Sequence, residues 1–263
     1  MIFFIIPAYN EEANLPELLS SVRNWSISHS ETCQLIVVDD GSTDSTAHIV
    51  QSFEGLPAKL VSHSVNRGVH EVFRSGFAAW RQLPFGSRDW VVTLEADNTS
   101  SLLILDDMLT LGRRGEDLVL ASCYAPGGEV VGTNLLRRVL SFCANLILRC
   151  TPGMPRVSTF SSFYRVYRAP FLAHAVNAYG SRFIEEEGFV CVVEMLLKFA
   201  LLQARISEVP LRLEGSRRKG QSKMRILRTI RGYLRLFAHA SSGQLARPTV
   251  QEPVVLKKAS GQD

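Results

Sequence analysis

Nowhere does this chain place two cysteines in a Cys-x-x-Cys pair, and its five cysteines, at 33, 123, 143, 150 and 191, are odd in number. A disulfide framework and a thiolate zinc site are both disfavoured, and a reducing compartment is expected. Gly-x-Gly-x-x-Gly, Walker A and Gly-x-Ser-x-Gly sequences are all absent, and the six histidines are scattered. These absences argue against a dinucleotide fold, a P-loop phosphate cradle, zinc hydrolysis and a serine nucleophile. Long apolar runs are missing too. The Met1–Ile6 run carries no basic flank and stops at Pro7, and Leu135–Leu148 is interrupted by Arg137 and Arg138. A signal peptide is not expected, nor a membrane span, which needs ~20 mostly apolar residues. A cytoplasmic location follows as an expectation.

What remains is a globular composition: 263 residues, 46% hydrophobic and 21% charged. That length suits one large core, since cores stop growing near ~250–300 residues. The net charge of +4 is unevenly placed: Arg212 to Ala238 holds nine Lys or Arg against Glu214 alone, so this stretch is +8 and the remainder −4. A concentrated basic tract points to phosphate, nucleic acid or an anionic membrane surface, or is a solvated face with no partner. Nucleic acid is disfavoured, because only Tyr233 and Phe237 are near enough to stack on bases.

Short apolar runs alternate with helical patterns. Strands are predicted at Ile2–Ile6, Gln34–Val38, Lys59–His63, Trp90–Leu94 and Leu118–Ser122, and helices at Asn14–Trp25, Ser45–Phe53, Glu71–Gln82 and Leu102–Leu111. This rhythm implies βαβ units and a largely parallel sheet. After the Pro126-Gly127-Gly128 break, a helix is predicted over Asn134–Arg149, a strand at Ser162–Tyr167, a helix at Gly188–Gln203 and a strand at Arg205–Pro210. A basic loop and a helix over Ser222–Ala240 follow. The expected organisation is one α/β unit over residues 1–240, about 1–125 forming a nucleotide-binding half, then a mobile tail over 241–263.

The chemistry gathers at strand ends. The first strand runs into Pro7-Ala8-Tyr9-Asn10-Glu11-Glu12 and the second into Asp39-Asp40-Gly41-Ser42-Thr43-Asp44. In an open α/β sheet, ligands bind outside the carboxyl ends of strands, so both clusters should face one crevice. Carboxylates there accept hydrogen bonds from a base N–H or a ribose hydroxyl. Asp39 and Asp40 are read as ligand contacts, Ser42 and Asp44 as caps of the next helix. The Trp90–Leu94 strand ends in Glu95-Ala96-Asp97. Two carboxylates one residue apart suit a hard cation such as Mg²⁺ or Mn²⁺, although a capping role also explains Asp97.

In order, Pro7-Ala8-Tyr9-Asn10-Glu11, Val37-Val38-Asp39-Asp40-Gly41-Ser42, Asn66-Arg67-Gly68, Glu95-Ala96-Asp97, Glu194-Met195-Leu196, Glu208-Val209-Pro210 and Arg217-Arg218-Lys219-Gly220-Gln221-Ser222-Lys223 make a recognisable series. Over roughly residues 2 to 240 the chain resembles the family 2 glycosyltransferases of GT-A fold, and among them the polyprenyl-phosphate sugar synthases similar to dolichol-phosphate mannose synthase. The resemblance implies a mostly parallel central sheet flanked by helices, and transfer of one sugar, with inversion, from a UDP- or GDP-linked donor to a lipid phosphate.

It implies that Pro7, Tyr9, Glu11, Val38, Asp39, Asp40 and Ala96 belong to the nucleotide-sugar pocket. Glu95 and Asp97 would hold the metal and the donor diphosphate, and Arg217 and Lys223 would close over phosphates. A phosphate acceptor is already largely an oxyanion at neutral pH, so the lack of an obvious catalytic histidine fits. The chain departs from the family pattern in carrying Glu95 for the first Asp, Cys123 before Tyr124 where relatives often carry Arg, His70 in the Asn-x-Gly-x-Gly position, and Thr159 at the head of an Asp-x-x-Ser-Gly-Phe-Arg stretch. Two alternatives stand: the same donor chemistry with a non-lipid acceptor, and a binding module without turnover. On the Ser222–Ala240 helix, Ile226, Leu227, Ile230, Tyr233, Leu234 and Phe237 share one arc and Arg225, Arg228, Arg231 and Arg235 another. This is the pattern of a helix lying on a membrane, and equally of one docked on its own domain.

Overall fold

A computed structural model describes residues 1–132, 144–146, 148–217, 219 and 226–243, with 226–228 as backbone only. The alternation read from the sequence is realised as β1 (Ile2–Ala8), α1 (Leu15–His29), β2 (Cys33–Asp39), α2 (Thr46–Gln51), β3 (Ala58–Ser62), α3 (Val69–Arg81), β4 (Trp90–Thr93) and α4 (Leu105–Arg113). The chain continues as β5 (Leu118–Ser122), β6 (Glu129–Val131), β7 (Arg165–Arg168), α5 (Ala169–Tyr179), α6 (Val190–Leu201), β8 (Ile206–Pro210), β9 (Arg212–Glu214) and α7 (Ile226–Ser241). The strands form a seven-stranded sheet in the order β3-β2-β1-β4-β7-β5-β8, with β6 and β9 in a separate parallel ribbon. Only β7 runs antiparallel to its neighbours in the large sheet, β4 and β5. This is the α/β architecture of the GT-A fold.

Alternation along β1 builds a layer on each face. Ile2, Phe4 and Ile6 point into one apolar cluster with Leu15, Leu18, Leu19 and Val22 of α1 and Met108 of α4. Phe3 and Ile5 point into the other, with Phe73, Phe77 and Trp80 of α3 and most of α6. Both faces of the central strands are therefore dry, which is why they read as continuous apolar runs.

Four elements differ from expectation. The strand predicted at Ser162–Tyr167 is Arg165–Arg168, because the Arg165 guanidinium turns back to the Ser162 and Phe160 carbonyls and holds that stretch as a loop. α5 is not predicted at all, although Pro170 at its first turn is a helix-start signal. β6 and β9, three residues each, lie in the segments read as a Gly-rich break and a basic loop. Of the helix predicted over Asn134–Arg149, residues 144–146 and 148–149 are helical and the rest falls outside the described residues. So do Ser222–Arg225 and the tail from 244 onward.

α7 resolves the question posed by its amphipathic pattern. Thr229, Tyr233 and Leu236 are buried, while Arg231, Leu234 and Arg235 face outward. A Cβ on Gly232 would stand 2.3 Å from Val190 Cγ2, so α7 packs closely on α6. Burial raises the Tyr233 hydroxyl pKa to about 12. The inner part of the apolar arc is thus docked on its own domain, and only Leu234 of the described arc is turned out. Among the described residues no helix is long and apolar enough to cross a membrane.

Candidate active site

The sheet register sets the site. β1 and β2 pair from Ile2↔Cys33 to Ala8↔Asp39, so the residues following Ala8 and Asp39 leave the sheet at the same level. β4 pairs with β1 up to Ile5↔Thr93, and the Leu94 N–H still donates to the Ile5 carbonyl. Glu95-Ala96-Asp97 thus departs beside the other two strand ends. Pro7, which has no N–H to donate, lies past the last β4 pair, where a ladder bond is not missed.

The first two loops are stitched together. The Asn10 N–H donates to Ser42 Oγ at 2.8 Å, the Thr43 N–H to Asn10 Oδ1 at 2.8 Å and the Glu11 N–H to Thr46 Oγ1 at 2.8 Å. The Glu12 N–H donates to Asp44 Oδ2, and the Ser45 N–H returns a bond to Glu12 Oε2. Asp44 also accepts the Thr46 N–H at 3.0 Å, but the cap position of α2 is Ser45, which makes no side-chain capping bond, so Asp44 braces the turn before the helix and is not its cap. Ser42 instead spans between loops. Gly41 is obligatory here: its φ is +72°, and a Cβ would come within 2.4 Å of the Val65 carbonyl carbon.

Asp39 and Asp40, both buried, have different partners. Asp39 Oδ1 accepts the Ser42 N–H at 3.0 Å. Asp40 is engaged on both oxygens: Oδ1 with His63 Nδ1 at 2.7 Å and the Arg67 N–H at 2.9 Å, Oδ2 with the Gly68 N–H at 2.8 Å. His63 is held in turn by Ser75 Oγ at 2.9 Å. Asp40 therefore fixes the Asn66-Arg67-Gly68 turn beneath the crevice.

At the third strand end, Asp97 is 8% exposed and its Oδ1 accepts both the Thr99 N–H and the Thr99 hydroxyl, at 3.1 and 2.7 Å. Those bonds orient the carboxylate. Glu95 is half-buried, with Ser100 Oγ at 3.4 Å from Oε2. Among the described residues no cluster of three or more His, Cys, Asp or Glu is placed to hold a metal. The pair is all oxygen, as Mg²⁺ and Mn²⁺ require, and these ions commonly take one or two carboxylates plus substrate phosphates, so the donor set fits.

Across the crevice, Cys123 follows β5. Burial pushes its thiol pKa up, Thr159 supplies a hydrogen bond, and Glu95 and Glu208 add to the upward push, so the thiol stays neutral. Thr159 also meets Ser122 Oγ at 2.8 Å, and Glu208 fixes the Ser158 and Thr159 N–H groups at 2.7 and 2.9 Å. Arg217 of the basic segment stands 3.1 Å from Glu17 of α1. Lys223 lies outside the described residues. Tyr9 and Glu11 are half-buried at the mouth, and Val38 and Ala96 are buried beneath it.

Two residues that sequence reasoning missed join these parts. Asn14, 1% exposed, donates to Glu11 Oε2 at 2.7 Å and to the Lys219 carbonyl at 3.1 Å, and accepts the Lys219 N–H at 3.1 Å. Asn98, in left-handed conformation at φ 59°, donates to the Asn14 carbonyl at 2.9 Å. The signal was faint: an Asn before a helix reads as a cap.

Residues 3–189 match the model of glycosyl transferase family 2. This chain belongs to glycosyltransferase family 2. Within the family, it is 30% identical over 222 residues to the undecaprenyl-phosphate mannosyltransferase of Micrococcus luteus, covering 84% of this chain and 86% of the relative. It is 27% identical to the dolichol-phosphate mannosyltransferase of Pyrococcus furiosus, covering 88% of this chain and 61% of that one. Among solved structures, glucosyl-3-phosphoglycerate synthase from Mycobacterium tuberculosis, in complex with Mn²⁺, UDP and phosphoglyceric acid, superposes with a TM-score of 0.61 at 19% identity, over 94% of this chain and 79% of that one. The family 2 chain is accordingly a glycosyltransferase, with its three strand-end loops at the carboxyl edge of the sheet.

Proposed function

We propose that this protein transfers a sugar, with inversion, from a UDP- or GDP-linked donor to a polyprenyl phosphate. The observation that carries the reading is the gathering of Tyr9, Glu11, Asp39, Glu95 and Asp97 at three adjacent parallel strand ends, on loops cross-bonded into one frame. The undecaprenyl- and dolichol-phosphate relatives support the acceptor class. Pro7, Tyr9, Glu11, Val38, Asp39 and Ala96 would line the nucleoside pocket, with Asp39 offering its second oxygen to a base N–H or ribose hydroxyl. Asp40 contributes by holding the 66–68 turn.

Glu95 and Asp97 would hold Mg²⁺ or Mn²⁺ against the donor diphosphate, and the bound cation would stabilise charge on the departing nucleoside diphosphate. The glucosyl-3-phosphoglycerate synthase crystallised with Mn²⁺ and UDP supports that assignment. Arg217 and Lys223 would add charge-assisted bonds to phosphate oxygens. In the reaction an acceptor phosphate oxygen forms the bond to the sugar's anomeric carbon as the bond to the diphosphate oxygen breaks. The acceptor oxygen is already ionised, so no strong base is needed. A lipid acceptor also calls for a peripheral membrane contact, for which the outward Arg231 and Leu234 of α7 are suited.

A panel of UDP- and GDP-sugars with Mg²⁺ or Mn²⁺ tests the donor. One of them should raise the unfolding free energy by about 2.7 kcal/mol at 100 times its dissociation constant. Adding undecaprenyl phosphate should then yield a sugar-phosphate lipid and the free nucleoside diphosphate. Stabilisation by no donor sinks the reading; turnover with a soluble phosphorylated acceptor alone replaces the lipid half of it.

A further inference from the structure

The amino-terminal cap of α1 is used in an unexpected way. Asn14 stands at the cap position but makes no side-chain capping bond, a contact commonly worth ~1 kcal/mol. Its amide is committed elsewhere, to the Glu11 carboxylate and to both backbone polar groups of Lys219, which is 205 residues away in sequence. Its own carbonyl receives Asn98, the residue after Asp97. Lys219 further reaches the Ala13 carbonyl at 3.4 Å and Glu17 at 3.6 Å. The Pro7–Glu11 loop and the segment that carries Arg217 therefore meet at one buried side-chain amide, and the Glu95–Asp97 turn meets the same residue at its backbone carbonyl.

We infer that Asn14 is a positioning residue of the donor site, setting the Glu11 carboxylate and registering the Asp97 turn and the Lys219 backbone against it. This rests on the reading of these strand ends as a nucleotide-sugar site. Asn14 itself touches no substrate. The fully buried amide has one donor hydrogen for Glu11, one for the Lys219 carbonyl and an acceptor for the Lys219 N–H, so its hydrogen bonds define a single orientation. Aspartate has almost the same shape but no donor hydrogens, and would put a second carboxylate at the 2.7 Å distance where the amide now donates to Glu11. Two carboxylates that close cannot both ionise readily, and one would take up a proton at a raised pKa.

The test titrates UDP and GDP, each with Mn²⁺, into the wild-type protein, Asn14→Asp and Asn14→Ala, from about pH 8 down to about pH 5.5. For whichever nucleotide the wild type binds, Asn14→Asp should weaken affinity by about 10-fold or more at the alkaline end, the loss of roughly one bond to a charged group. Most of that deficit should vanish at the acid end, where the introduced carboxyl is protonated and can again donate. Glu11, Glu17, Asp97, Arg217 and Lys219 are present in both proteins, so the ratio of variant to wild type isolates the substitution. Adding Glu11→Gln to Asn14→Asp should remove the pH dependence of the ratio. Asn14→Ala should weaken binding at every pH. A ratio near one throughout, or a deficit in Asn14→Asp that is flat with pH, overturns the inference and leaves the donor reading standing. Wild-type protein that binds neither nucleotide removes the reading and the inference together.

Discussion

The two sides of the sheet hold their loops by different means. On the β1–β2–β4 side, the strand-end loops are joined by many modest bonds between backbone N–H groups and short side chains such as Ser42, Thr46 and Asn10. On the β7–β5–β8 side, support comes from buried ions. Glu194 and Lys198 are 1% and 0% exposed and pair at 2.6 Å, and Arg165 is fully buried on backbone carbonyls. Glu194 also takes the N–H groups of Glu185 and Glu186 at 2.8–3.0 Å, fixing the acidic turn that precedes α6. Outside the buried Asp40–His63 pair the first arrangement is redundant, so each of its loop-to-loop bonds can be lost at small cost. The second concentrates its support in a few charges whose desolvation is tolerated only while partners remain.

The largest effect expected from this contrast is on stability. Glu194→Ala leaves the Lys198 ammonium buried against fewer acceptors and strands the two turn N–H groups. Urea unfolding should show a loss of about 3–5 kcal/mol, the range for breaking one half of a buried pair. Replacing both by apolar residues, Glu194→Leu with Lys198→Met, should recover part of it. A single-mutant cost below about 1 kcal/mol would mean that the pair is solvated and the contrast false.

On the other side the expected loss is in chemistry. Asp97→Asn keeps an oxygen for the two Thr99 bonds and removes the charge. Turnover should fall by at least about 100-fold while the unfolding midpoint stays near wild type, since a bound cation supplies several kcal/mol of charge stabilisation. Near-normal turnover would dismiss this strand end as the metal-holding one. Arg217→Ala ranks next, at about 10-fold, the equivalent of ~1.4 kcal/mol from one bond to a charged group. Because Arg217 is paired with the exposed Glu17 at 3.1 Å, the substitution should barely change stability. Unchanged kinetics would make that arginine a surface ion pair and nothing more.

The redundant side is also the side that the sequence made legible. β1, β2 and β4 sit within two residues of expectation because strands buried on both faces leave unbroken apolar runs. Glu95, Asp97 and Asp39 could be located at strand ends because each closes or closely follows such a run. Asp40 shows the limit: its sequence position equals that of Asp39 in promise, but the Arg67 and Gly68 amides that occupy it come from a turn more than 25 residues on. Asn14 is hidden for the same reason, its partner Lys219 being remote in the chain. On the other side, α5 went unread because it follows Arg168 of β7 with no intervening loop. Arg165 was matched only as part of a motif, and nothing local announces that an arginine will be buried.

The smallest effect concerns the seam between the two sides, where His70 at the start of α3 meets the loop before α6. His70 Nδ1 stands 3.3 Å from the Gly188 N–H and accepts from it, which requires a neutral ring with its proton on Nε2. Partial burial lowers the His70 pKa below its ordinary value of 6.5; Glu71 and Glu187 pull it up and Arg74 pushes it down. A folded-state pKa below the unfolded one means that folding favours the neutral ring. Its contribution is therefore complete above about pH 6.5 and is lost as the pH falls through the folded value. Protonation would also turn Nδ1 into a second donor facing the Gly188 N–H. Urea midpoints between about pH 8 and about pH 5 should fall more steeply in wild type than in His70→Gln, whose amide oxygen can accept the same N–H without titrating. Parallel slopes in the two proteins would show that the seam is held without this bond.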